Sequence, residues 1–466
     1  MSQRAPSQLS PTEVLRLRLA AQLLDAIRPR SPGEVVTWFG AMQAQDLNSG
    51  HWSFGARCDG LTDDDIHAAT ANREILRTWP MRGTVHFVPP ADARWMLEVT
   101  GARALRGAAR RREFLGLSET TVDRAADLLG SALAGGRRLT RAECIAALVD
   151  GGVPEAADHG YHFLWYISQI GVTCIGPQVG KEQTFVLLDE WVPKPRQLDR
   201  DEALAELAVR FVRSHGPVTR HDLARWTGLT MTDAKAGLAA ASDVLTEVDC
   251  ATSDGPTAMW VTDDALQAWA GIRAVLGGRQ ASFSMEYPCH VPGQERWFSL
   301  NVTSLGEGAQ HGVVLAHTDI STRKLHERLA VERAEQTQFI LDNVIDGILT
   351  VDRQGTVQSM NRAAQAIFGL QAAQVLGHNV SRLMPEPYRS QLDSFLREVP
   401  DTDVARITGG VREVQGLRGD GSVFPMDLAV SRGVQRDQPI FIGVVRDVTQ
   451  RKRAEQALRD SQKRLE

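Results

Sequence analysis

Two stretches far apart in the chain end alike. His317-Thr318-Asp319-Ile320-Ser321-Thr322-Arg323-Lys324 follows the strand-like Val313–Ala316. Arg446-Asp447-Val448-Thr449-Gln450-Arg451-Lys452 follows the strand-like Phe441–Val445. Each leads into a charged helix with apolar residues at Leu/Ala spacing. This is an internal repeat of a module end in the last third of the chain. The 466 residues suit about two to four domains.

The rest of the composition narrows the function classes. Hydrophobic residues make up 43% and charged residues 23%, ordinary for a soluble globular chain. The net charge of -5 excludes an overall basic field, so any nucleic-acid surface must be a local patch. Five cysteines, at 58, 144, 174, 250 and 289, form no CxxC pair, so buried thiols are expected, with no metal and no disulfide framework. No apolar run approaches the ~18 residues of a membrane span. The N-terminus lacks a signal core, and a cytoplasmic protein is expected. Abundant Ala, Arg and Gly suggest a GC-rich bacterial genome.

Apolar spacing predicts a helix over 12–30, started by Ser10-Pro11-Thr12-Glu13, and a second from Pro32 to Met42 with Ser31 as cap. Segments 62–73, 91–112, 118–134 and 139–151 also read as helices. Gly83–Val88, 171–176 and 184–188 read as strands. Gly216-Pro217-Val218-Thr219, a helix over His221–Thr227, Gly228-Leu229-Thr230 and a helix over Met231–Ala241 have the pattern of a helix-turn-helix. Strands at 244–248 and 258–262 then supply a wing.

Met42-Gln43-Ala44-Gln45-Asp46 places two amides around one small residue. In extended backbone, residues i and i+2 share a face, so both amides can converge on one point. Two neutral amides orient a water without adding charge. Such a pair is also common at helix ends, where it does nothing.

Several phrases together resemble the AlkZ/YcaQ-type winged-helix DNA glycosylases. They are Leu15–Gln22, Met42-Gln43-Ala44-Gln45-Asp46, Thr78-Trp79-Pro80-Met81-Arg82-Gly83-Thr84-Val85-His86-Phe87-Val88, Phe211–Leu229 and Met259-Trp260-Val261. The resemblance covers about residues 10–265 and implies excision of alkylated bases, with Gln43 and Gln45 as the catalytic pair. A cationic N-alkylated base leaves readily, so the reaction needs an oriented water and support for an oxocarbenium-like centre, with the base flipped from the stack. The family continues into a further β-rich portion where this chain changes character, near 271.

Arg103, Arg106, Arg110, Arg111 and Arg112 fall on one expected helix, and Arg137, Arg138 and Arg141 start another. With Arg82 and His86 of the strand phrase and Lys235 of the recognition helix, they are the candidate DNA contacts. Arg-rich faces of this kind neutralise phosphate with little sequence preference, and also occur as merely solvated surfaces. The recognition helix has many alanines and little with which to read base edges.

Residues 339–449 resemble a PAS domain of the FixL type through Gly355–Asn361, Phe368-Gly369, Leu383-Met384-Pro385-Glu386-Pro387-Tyr388-Arg389 and Gly419–Met426. The resemblance implies a five-stranded antiparallel sheet around a cavity, with Asn361, Leu392 and Arg412 as cavity residues. FixL-type domains hold haem through a histidine. Here Leu392 falls at that place, and Leu has no lone pair for iron. No cofactor is therefore expected. Residues 271–325 resemble the C-terminal half of a second PAS domain. Segments 326–338 and 450–466 read as linker helices with a dimeric coiled-coil seam at Leu325, Leu329, Ala330, Ala454, Ala457, Leu458 and Leu465.

The fold expectation is multidomain: a mainly α, tandem winged-helix region over 1–265, then α+β PAS domains at 271–325 and 339–449 joined by helical coiled-coil linkers. The expected function is DNA binding of the alkyl-base glycosylase type, joined to sensory and dimerising modules. The expected partners are DNA and a second copy, without a membrane. The alternative is a non-enzymatic PAS signalling protein or sensor-kinase fragment.

Overall fold

The computed structural model describes residues 8–24, 29–252, 255–288, 295–305, 312–392, 410–435 and 438–463. It divides into two units, 1–321 and 322–466.

The first unit opens with β1 (Gln8–Leu9) and α1 (Pro11–Ala21). Ser10 caps α1 in a capping box with Glu13, and Pro11 stands in its first turn, as the start chemistry requires. The helix stops nine residues before the expected end at 30, with Leu23 at φ +56°; Ile27 lies outside the described residues.

One order then recurs three times: helix, short strand, two helices, two strands. The first repeat is α2 (Pro32–Phe39), β2 (Met42–Gln43), α3 (Leu47–Gly55), α4 (Asp63–Ala71), β3 (Leu76–Met81) and β4 (Thr84–Val88). After a 3-10 turn at Pro90–Asp92 come α5 (Ala93–Thr100) and α6 (Ala102–Phe114). The expected single helix over 91–112 is thus two, broken at Gly101. There a Cβ would lie 2.8 Å from the Gln169 amide nitrogen.

The second repeat is α7 (Glu119–Leu133), β5 (Leu139–Thr140), α8 (Arg141–Asp150), α9 (Ala156–Gln169), β6 (Thr173–Val179) and β7 (Glu182–Leu187), followed by α10 (Leu188–Trp191). The third is α11 (Arg200–His215), the single extended residue Val218, α12 (Arg220–Thr227), α13 (Met231–Ala240), β8 (Leu245–Thr252) and β9 (Gly255–Thr262). In every repeat the short first strand pairs with the last: Met42 with Phe87, Leu139 with Phe185, Val218 with Trp260. This is the winged-helix order, with the last two strands as wing.

The first two repeats share one six-stranded antiparallel sheet, ordered β2-β4-β3-β6-β7-β5, joined where Arg77 meets Ile175. Sharing a sheet removes one edge from each repeat and leaves β2 at the outer edge. One face carries Phe54, Phe87, Phe163 and Phe185. A second core holds Met81, Trp95, Met96 and Leu204, and a third closes the last repeat around Phe211, Leu223 and Leu238.

The helix α14 (Asp263–Leu276) runs unbroken through 265–271, where the change of character falls. Gly271 is where Phe283 packs onto it; a Cβ would lie 2.3 Å from that ring. Three antiparallel strands follow, β10 (Ser282–Pro288), β11 (Trp297–Leu305) and β12 (Gly312–Asp319).

The second unit contains α15 (Ser321–Asn343), β13 (Gly347–Val351), β14 (Val357–Met360), α16 (Arg362–Phe368), α17 (Ala372–Val375), β15 (Val411–Leu417), β16 (Val423–Gln435), β17 (Gln438–Asp447) and α18 (Thr449–Lys463). Its five-stranded antiparallel sheet is ordered β14-β13-β17-β16-β15, a PAS-type domain. No residue of α15 is buried; Leu325 and Leu458 of the expected seam are exposed, and Leu465 lies outside the described residues.

The repeated module end has a structural cause. Asp319 accepts a bond from the Ser321 backbone at 3.0 Å, and Asp447 from the Thr449 backbone at 2.8 Å. Each aspartate thereby starts a helix, as caps do. An arginine holds each one, Arg296 at 3.4 Å and Arg418 at 2.6 Å. Among the described residues no helix is long and apolar enough to cross a membrane.

Candidate DNA-facing and cavity sites

Gly40, at φ +74°, ends α2 and turns the chain into β2. Gln43 then pairs with His86 across β2 and β4. The ladder continues one residue further, with Ala44 N–H donating to Val85 O at 2.8 Å. Arg77, itself buried, donates to Ala44 O at 3.4 Å. The Ala44 side chain is 0% exposed, while Gln43 and Gln45 are both exposed. The extended geometry that the i, i+2 spacing requires is therefore present, although on an edge strand rather than at a helix end.

Val85 N–H donates to Gln45 Oε1 at 3.2 Å. The Gln43 amide has no partner among the described residues. Asp46 caps α3 by accepting from Ser49 N–H at 2.7 Å, and hydrogen bonding from the Ser49 side chain, then its backbone, holds the Asp46 carboxyl below the ordinary range. Gly50 lets α3 lie against Phe87 and Ala44; a Cβ there would be 3.0 Å from the Phe87 ring.

His86 is 1% exposed, so it is not available to phosphate as expected. Burial pushes it down to about 4, with Arg82 adding to the effect. It stands as a neutral ring beside Gln43.

The four arginines Arg103, Arg106, Arg110 and Arg111 are exposed on α6. Arg112 is not: its guanidinium turns inward over the Tyr166 ring at 4.6 Å. Arg138 and Arg141 are exposed, the latter over Tyr161 at 5.7 Å. Arg137 is exposed but donates to Ser131 O and Ala134 O at 2.7 and 3.0 Å. It closes the end of α7, a role that sequence did not suggest. Lys235 is exposed in a groove of about 850 Å³ between α13 and the β8–β9 wing, with Arg220, His221 and Trp260. Asp233, its neighbour, is taken up by Thr230 and Arg200.

Arg82 and Gly83, at φ +56° and +70°, form the two-residue turn between β3 and β4. Positive φ at both positions is the hairpin geometry that suits the strand twist, and is uncommon for arginine. The Arg82 side chain reaches α12 of the third repeat, donating to Arg225 O at 3.5 Å.

Arg82 and Gly83 also line a cleft of about 370 Å³ with Arg111, Tyr161, His162 and Trp165. Trp165 Nε1 donates to Gly83 O at 3.1 Å. His162 Nε2 is buried without a hydrogen-bond partner; burial, then Arg112 and Arg111, lower its pKa. Sequence reading missed these three aromatic residues of α9. Their signal was the Tyr161/Trp165 i, i+4 spacing in a segment given no helix.

In the second unit the cavity is apolar, lined among others by Leu349, Phe368, Met384, Leu392, Met426 and Phe441. Leu392 is in the lining, as expected. Asn361 is not: its amide caps α16 through Ala364 N–H at 2.9 Å and binds Ile348 N–H and Leu341 O. Arg412 stands opposite Leu428, which lines the cavity, but is itself exposed. The donors do not fit haem: among the described residues no histidine lines the cavity, and His378 is exposed. The volume of about 70 Å³ is also well below the ~300 Å³ at which small-molecule pockets begin.

Comparison with known proteins follows this division. Residues 36–277 match the DNA glycosylase AlkZ-like family, and residues 335–448 match the PAS fold. The fold resembles the DNA glycosylase AlkZ of Streptomyces sahachiroi, with a TM-score of 0.50 at 23% identity, over 56% of this chain and 72% of that one. The sensor protein FixL of Bradyrhizobium diazoefficiens is 34% identical over 147 residues, 32% of this chain and 29% of that protein. The cell-division control histidine kinase PdhS of Brucella anthropi is 30% identical over 153 residues, 32% of this chain and 14% of that protein. The chain thus spans less than a third of either curated relative.

Proposed function

The chain belongs to the DNA glycosylase AlkZ-like family, and we propose that residues 1–265 bind DNA and hydrolyse the N-glycosidic bond of a cationic, N-alkylated base. The observation that carries this reading is the pair of exposed amides, Gln43 and Gln45, on a strand edge whose backbone is held at Ala44. Amides projecting from a held backbone, with Gln45 tied to Val85 N–H, orient a water with little reorganisation. The water oxygen forms the new bond to C1′, the C1′–N bond breaks with its electron pair passing to the base, and the water proton goes to solvent. The base leaves neutral. Neither amide is asked to be a strong acid, because the positive charge of the base already makes it a good leaving group.

The neutral state of His86 favours the same chemistry. A cationic ring beside Gln43 would repel both the alkylated base and the developing oxocarbenium centre. Arg103, Arg106, Arg110 and Arg111 supply phosphate contacts, joined by Arg138, Arg141 and Lys235. The PAS-type domain at 339–449 and the strands at 271–325 serve as sensory and dimerising modules. The exposed apolar residues of α15, Leu325, Val331, Phe339 and Ile340, support self-association of two copies. The test is release of free N7-alkylguanine from alkylated duplex DNA by the purified chain. Binding without release would favour the alternative, a non-enzymatic DNA binder regulated through its PAS modules.

A further inference from the structure

Three side chains that take no part in the proposed reaction converge on the two helices following the glutamine strand. His51 lies in the middle of α3 and is 9% exposed. Asp63 opens α4, and His67 follows one turn later on the same face. His51 Nδ1 meets Asp63 Oδ1, and His67 Nε2 lies 3.1 Å from Asp63 Oδ2. The imidazole rings are 5.1 Å apart at 81°. One ligand atom from each of the three residues falls within 4.8 Å of the others.

Two nitrogens and one carboxylate oxygen form the donor set of open sites for first-row divalent ions. One imidazole–carboxylate hydrogen bond would be enough to tie α3 to α4, yet here two imidazoles address the two oxygens of one carboxylate. His51 is fixed by burial against Phe87, which pre-orients one ligand. Asp63 and His67, at 66% and 38% exposed, leave a path for the ion.

We propose that His51, Asp63 and His67 bind one first-row divalent cation of the zinc class, which staples α3 to α4 and keeps a water in its fourth position. The ion takes no part in bond cleavage. Its effect on the glutamine site is indirect: α3 is capped by Asp46, the residue after Gln45, so fixing α3 fixes the base from which Gln45 projects. The proposal does not depend on the glycosylase reading.

The test uses the tag-free full chain, stripped with chelator and titrated with Co²⁺ and then Zn²⁺. The expected result is visible d–d absorption saturating at one Co²⁺ per chain, displaced by Zn²⁺, with a rise in Tm on Zn²⁺ addition. His67→Ala and Asp63→Asn should each weaken binding by about tenfold or more, since loss even of outer-shell support costs that much. Absence of a saturable band overturns the proposal. So does a band of unchanged affinity in His67→Ala, which would assign the ion to other histidines. His67 is partly exposed, so that variant should keep the far-UV circular dichroism of the parent and decides the matter even if Asp63→Asn weakens the start of α4.

Discussion

Gln43 and His86 stand directly opposite each other across β2 and β4, one exposed and the other 1% exposed. Directly paired residues leave a sheet on the same face, so the candidate catalytic amide neighbours a buried, uncharged imidazole. Burial sets His86 at about 4, and burial likewise sets His215 at about 4.

This makes stability depend on acid in a defined direction. In the unfolded chain a histidine takes its proton near about 6.5; in the folded chain these two take it only near 4. Between those values the unfolded state binds more protons, so stability is full above about pH 6.5 and falls as pH drops toward 4. The loss should reach a few kcal/mol, on the order of one per unit of pH for each histidine. Urea midpoints measured across this range check it. A flat midpoint contradicts the burial of both rings.

The basic face of α6 predicts a salt dependence. Replacing Arg103, Arg106 and Arg110 together by alanine should weaken binding to duplexes of unrelated sequence alike. If all three meet phosphate, the slope of log K against log salt should fall by roughly 2 to 3. Anisotropy titrations at several salt concentrations measure this. An unchanged slope assigns these arginines to a solvated face. Arg112→Ala should instead cost stability, because its guanidinium covers Tyr166.

Asp92 joins the turn before α5 to α11. It is 0% exposed and meets Arg210 at 2.8 Å, Arg196 at 3.0 Å and the Trp95 indole at 2.9 Å. Removing one partner of a buried pair strands the other charge. Asp92→Ala should therefore cost about 3–5 kcal/mol, read from urea unfolding. A cost under about 1 kcal/mol, the range of exposed pairs, would contradict the network.

The repeat that began the sequence reading proved to be a helix cap, with Asp319 and Asp447 in equivalent places. Local chemistry of this kind is legible because it depends on residues close in sequence. The third winged-helix repeat was legible for the same reason, since Gly228, at φ +78°, and the Thr219 and Thr230 caps are local signals. The first two repeats were legible in part: α4, α7, α8, β4, β6 and β7 were expected, whereas β2, β3, α3 and α9 were not. Their strands β3 and β5 are partial, Pro80 interrupts the first, and their shared sheet rests on pairing between distant segments. His86 and Arg112 were read as surface residues because charge says nothing about direction; only the packing of Tyr166 and the sheet turns them inward. Asn361 carried a motif but no hint that its amide would be consumed by capping α16.

The apolar cavity of the second unit gives a further expectation. Titration with haemin should yield no saturable Soret band, because Leu392 and its neighbours offer iron no imidazole. A sharp Soret band of one haem per chain would contradict the cavity as described.

The central claim rests on two amides, and one measurement addresses it directly: the single-turnover rate of N7-methylguanine release from methylated duplex, by the parent chain and by the Gln43→Ala/Gln45→Ala double variant, at equal DNA occupancy. The prediction is release by the parent and a rate lower by about 10²-fold or more in the variant, the scale on which positioned polar groups act. Equal rates, or no release by the parent, would contradict the account.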